Sequence, residues 1–80
     1  MKLTPVVTEK AVMMIERDNI MTFLTEKKES KETIKKEVEE MFGIKVAEIR
    51  TLIRDNKKHA YIKLKPENLA IDVATKLGMM

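Results

Sequence analysis

Eighty residues with no cysteine and a formal net charge of +3 make one small domain, read as residues 1–80, without a disulfide framework or a thiolate metal site. Charged residues reach 36%, above the usual quarter, so much of the surface faces solvent or a partner. No apolar run approaches the ~20 residues of a membrane span, and MKLTPVVTEK does not read as a signal peptide, so a cytoplasmic protein without membrane insertion is expected.

Thr8 precedes Glu9-Lys10-Ala11-Val12-Met13-Met14-Ile15. A threonine caps the first free amides of a helix, and a glutamate beside it complements the helix dipole. Ala11, Met14 and Ile15 form the apolar face, and Asp18-Asn19 ends the helix. A short strand at Lys2 to Thr4 is expected before it. Ile20 to Thr25 is apolar and β-branched, a strand whose two faces are both fit for burial. Ser30 then caps a second helix, with Ile34, Val38, Met41 and Phe42 as its stripe and Gly43 as the left-handed residue that stops it. Glu32 and Lys36 have the spacing of a solvated helical ion pair.

From Ile44 the period changes to two and slips near Ala47, which predicts a bulge before the main strand Ile49 to Ile53. Arg54 to Lys58 reads as a five-residue turn. The following strand alternates Ala60, Ile62 and Leu64 with His59, Tyr61 and Lys63, completing a hairpin. Pro66 suits the first turn of a last helix with the stripe Leu69, Val73 and Leu77, Ala70 and Ala74 beside it, and Gly78 at its end. Met13-Met14 and Met79-Met80 are read as core and chain-end residues. The expected fold class is α+β: one small domain with a mainly antiparallel sheet of three to four strands and about three helices.

No residue set supports catalysis, a metal or a cofactor. His59 is the one histidine and Ser30 the one serine, leaving no zinc set and no nucleophile–base pair. With two glycines no phosphate-cradling loop can be built. The chain is therefore read as a non-enzyme. Charge is the positive signal. Seven Lys/Arg lie between Ile44 and Pro66 against Glu48 and Asp55, while the flanking segments are slightly acidic. Arg50, Arg54, Lys57, Lys58 and Lys63 are long cations along two strands and their turn, a spacing that can track phosphates. Tyr61 lies among them and can stack on a base or donate a hydrogen bond to a phosphate, or simply pack on the sheet. A solvated lysine-rich hairpin accounts for the charge alone equally well. The aromatic signature of an RNA-recognition motif is missing.

Five short segments resemble, in order, the universal large-subunit ribosomal protein family numbered twenty-three. They are Pro5 to Ala11, Asn19 to Leu24, Thr33 to Val46, Arg50-Thr51-Leu52-Ile53 and Lys57 to Leu64. The resemblance implies a structural constituent of the large ribosomal subunit that binds the large ribosomal RNA near the polypeptide exit tunnel. It further implies a neighbour of the twenty-nine family and docking of the signal recognition particle or other exit-site factors. Carried over by position, Lys10, Lys35, Arg50, Thr51, Lys57, Lys58 and Tyr61 become RNA-contact candidates, joining Arg54 and Lys63 from the charge pattern. Glu9 matches an exposed acid used for factor docking, a role compatible with that of a first-turn helix acid. The short turn and the Leu69 to Met80 helix resemble the archaeal type, without the long basic loop that lines the tunnel in bacteria. Thr4 and Arg50 stand where relatives often have arginine and asparagine. The alternative functions are a free-standing nucleic-acid-binding regulator and a ferredoxin-like small-ligand or interaction domain.

Overall fold

The computed structural model describes residues 3–78. The order of elements is β1 (Thr4–Pro5), α1 (Glu9–Asp18), β2 (Ile20–Thr25), α2 (Lys31–Phe42), β3 (Val46–Arg54), β4 (Lys57–Leu64) and α3 (Ala70–Lys76). The strands form one antiparallel sheet in the order β1-β2-β4-β3, the α+β class expected from the sequence. Of the first strand, Lys2 lies outside the described residues, as do Met79 and Met80.

Both long helices begin and end as their sequences dictate. The Thr8 hydroxyl accepts from the Ala11 amide at 3.1 Å, and the Ser30 hydroxyl accepts from Thr33 at 3.2 Å. Asn19 and Gly43 close them in the left-handed region, with φ of 57° and 63°; asparagine and glycine bear that conformation at least cost. Asn19 also ties the fold together. Its side-chain amide donates to the carbonyls of Leu64 and Asn68, and its Oδ1 accepts from the Ala70 amide at 2.7 Å. One residue thereby holds the end of β4, the turn after it and the start of α3, which has no side-chain cap of its own. The ion pairs among the described residues are the exposed Arg17–Asp18, Glu26–Lys28 and Glu48–Arg50; Glu32 and Lys36 are not among them.

Cross-strand register separates the faces of the sheet. Met21, Ile62 and Ile49 share one row; Phe23, Ala60 and Thr51 share the next. This face carries the core. Met21, Phe23, Ala60, Ile62, Leu64 and Val46 are buried with Ile34 and Val38 of α2, Ile15 of α1, and Ala70, Val73 and Ala74 of α3. Phe42 stacks on Phe23 with ring centroids 6.1 Å apart. The expected burial of both β2 faces holds in its middle, where Met21, Thr22 and Phe23 are all buried. The expected bulge falls between Val46 and Glu48.

Four expectations need correction. The hairpin turn is two residues, not five. Asp55 and Asn56 have φ of 52° and 66°, the left-handed pair whose twist matches that of the strands, so Arg54, Lys57 and Lys58 belong to strands. Met41 is 55% exposed, because Phe42, one residue on, turns to the sheet instead. Met13 is likewise exposed rather than in the core. Finally, α3 starts at Ala70, and Pro66 lies in the preceding turn. Its buried side is Ala70, Val73 and Ala74, while Leu69 and Leu77 are exposed. The two alanines let that helix approach α1 and β2 closely, which leucines in their place would prevent.

Candidate nucleic-acid interface

The opposite face of the sheet carries most of the cations. Rows run Ile20–Lys63–Glu48, Thr22–Tyr61–Arg50 and Leu24–His59–Leu52, and the last pair before the turn is Arg54–Lys57. Strand alternation therefore brings Arg50, Arg54, Lys57, Tyr61 and Lys63 to one side. All four cations are exposed, and Tyr61 is half-buried. Arg50 pairs with Glu48 at 3.3 Å, both side chains largely exposed. Such a pair is worth little and gives way readily to a better anion.

Three RNA-contact candidates, and the factor-docking candidate Glu9, do not join this group. Thr51 pairs with Ala60, so strand alternation turns its half-buried side chain to the core-bearing side, although the residue borders the groove between Arg50 and Leu52. Lys58 shares that side and donates its ammonium to the Glu29 carbonyl, tying the hairpin to the connection before α2. Lys35 is exposed on α2, beside the β3 bulge. Glu9 is exposed in the first turn of α1, outside the sheet altogether. Lys10 does meet the cationic face. Lys10, Met14 and Asp18 form one wall of an open groove of about 540 Å³, and Arg50, Leu52, Tyr61 and Lys63 lie along the other.

Sequence reasoning missed Met14 and Leu52 as parts of this surface. Their signal was available in part: Leu52 alternates with Thr51 and Ile53, which puts it beside Arg50 and Arg54. It also missed Lys27, whose ammonium donates to the Asn56 side chain at 3.2 Å and so adds a cation next to the turn. Among the described residues there is no group of acids and histidines able to hold a metal, and no helix is long and apolar enough to cross a membrane.

The domain is thus a small α+β unit whose sheet turns one side to the core and, beside the part flanked by α1, presents exposed cations on the other. The comparisons identify its family. The family model for ribosomal protein L23 matches residues 1–68, and the chain belongs to that family. It is 40% identical over 77 residues to the large ribosomal subunit protein uL23 of Picrophilus torridus, covering 96% of this chain and 94% of the relative. Family and relative support a structural role in the large ribosomal subunit, that of a cytoplasmic ribosome constituent and not an enzyme.

Proposed function

We propose that residues 1–80 act as one RNA-binding domain that holds the large ribosomal RNA, near the exit of the polypeptide tunnel, with the outer face of the β3–β4 hairpin. The observation that carries this reading is the alignment of Arg50, Arg54, Lys57 and Lys63 with Tyr61 on one exposed side. Cations spaced along a hairpin neutralise successive phosphates and fix the orientation of the protein on RNA. The two-residue turn supports a docking role outside the tunnel, since a tip this short has no reach. Lys10 extends the surface, while Lys35, Thr51 and Lys58 serve it at its edge or through hairpin stability. Neighbouring proteins of the subunit, including the twenty-nine family, follow from the resemblance. Crosslinking the full chain to purified large-subunit ribosomal RNA tests the reading. The peptides recovered should span β3 and β4, and recovery confined to α2 and α3 would refute it.

The same proposal gives Glu9 a protein-facing role. It stays solvated at the start of α1, available to the signal recognition particle or another exit-site factor with a basic surface. Glu9→Lys should leave incorporation into the large subunit intact, since a terminal helix charge is worth about 0.3–1 kcal/mol. Factor binding to purified ribosomes should fall. Lost incorporation with normal factor binding per ribosome would make Glu9 purely structural.

A further inference from the structure

We infer that the groove between α1 and the outer sheet face seats a single unpaired nucleobase against Tyr61, so that the RNA element held here is a bulge or loop rather than an uninterrupted duplex. The inference rests on the RNA-binding reading and deepens it.

A surface meant only for phosphates needs cations and no more. This one is built otherwise. Lys10 stands on one wall, and Arg50 and Lys63 on the other, with Tyr61 between Arg50 and Lys63 on the sheet. Met14 from α1 and Leu52 from β3 add apolar surface to the same groove. Asp18 and Glu48 line it too, which leaves its net charge only slightly positive. Two acids are an expense in a pure phosphate site, yet carboxylates accept from the exocyclic amines and ring N–H groups of bases. The combination of an aromatic, two aliphatic side chains, acceptors and flanking cations suits one flat, polar-edged ring with a phosphate on either side. In duplex RNA the base faces are stacked and the major-groove edges lie in a deep, narrow groove, so only a splayed base can reach Tyr61.

Tyr61 supplies its own probe. It is the chain's one tyrosine, and there is no tryptophan, so tyrosine emission reports this ring alone. The full chain at low salt is titrated with three RNAs of equal phosphate number: single-stranded oligoadenylate, an abasic strand, and a duplex. Binding is followed separately by anisotropy of a label on the RNA. Oligoadenylate should quench Tyr61 emission in step with binding, while the abasic strand and the duplex should bind with little quenching. Tyr61→Leu should weaken oligoadenylate binding roughly 5- to 150-fold, the range base–aromatic stacking spans, with the abasic strand and the salt dependence unaffected. Tyr61→Phe, which keeps the ring, should bind oligoadenylate nearly as the parent does, and circular dichroism identifies any variant that fails to fold.

Equal quenching by the abasic strand, or equal affinity of Tyr61→Leu and parent for both strands, would overturn the base site while leaving phosphate binding intact. Failure of every RNA to bind would overturn the RNA reading itself. Quenching by a neighbouring subunit protein, with none by oligoadenylate, would assign the groove to protein and overturn the inference.

Discussion

Val38→Asp is expected to abolish cooperative folding, whereas Lys36→Asp, two residues away on the same helix, leaves a folded domain. Val38 is 1% exposed, packed between α2 and the sheet. Replacing it forfeits the burial of a valine, about 1.5–3 kcal/mol, and puts a carboxyl with no partner into the core at a further cost of roughly 2–7 kcal/mol. The whole domain, at about 0.05–0.15 kcal/mol per residue, has a stability of the same order. Lys36 is exposed. Aspartate there loses up to ~0.7 kcal/mol of helix propensity and sets a like charge four residues from both Glu32 and Glu40, each pair worth about 0.2–0.5 kcal/mol. The sum, up to about 1.1–1.7 kcal/mol, lowers Tm by roughly 4–14 °C for a domain of this size. Thermal melts followed by circular dichroism check the pair. A cooperative transition for Val38→Asp close to that of Lys36→Asp would mean that α2 docks by a different side.

Much of this packing was legible because local chemistry and burial agree. Thr8, Ser30, Asn19 and Gly43 mark helix ends by physics that acts within four residues, and the alternation of Ala60, Ile62 and Leu64 marks the buried side of β4 at any register. Where the sequence misled, two local solutions were equally good and a distant contact chose between them. Leu69, Val73 and Leu77 form as regular a stripe as Ala70, Val73 and Ala74. The Asn19 side-chain Oδ1, accepting from the Ala70 amide 51 positions away, helps fix which stripe faces inward. Arg54 to Lys58 is polar throughout, so composition reads it as turn. Only the pairing of Arg54 with Lys57 restricts the turn to Asp55 and Asn56.

The candidate site followed the same division. Placing Arg50, Tyr61 and Lys63 together requires only strand alternation and an antiparallel hairpin, both visible in the sequence. The groove needs Lys10 and Met14 beside residues some forty positions later, and no periodicity carries that information. Lys58 was grouped with the interface by its place in the run of cations as well as by resemblance, and Thr51 by resemblance alone. Register sets their side chains on the other face, where Lys58 serves the hairpin through Glu29.

Replacing Arg50, Arg54 and Lys57 together with alanine should make RNA binding markedly less sensitive to salt. Each phosphate contact releases condensed counterions and contributes about 0.7–0.9 to the slope of log affinity against log salt concentration, the lower value applying to single strands. Three lost contacts should therefore flatten the slope by roughly 2–2.7, measured by filter binding to purified large-subunit ribosomal RNA from 50 to 300 mM salt. All three side chains are exposed, so the fold should survive, and its melting curve verifies that. Lys58→Ala is the informative single change. Its ammonium is already engaged by the Glu29 carbonyl, so the slope should move by much less than one phosphate's worth, while the hairpin loses its tether to the connection before α2. Removing equal charge elsewhere, as Lys31, Lys36 and Lys76 to alanine, separates site from net charge. If that variant flattens the slope as much as the hairpin variant does, binding is a property of the whole charged surface. If neither changes the slope, the outer face of the hairpin is solvated on the ribosome and the RNA lies against another side of the domain.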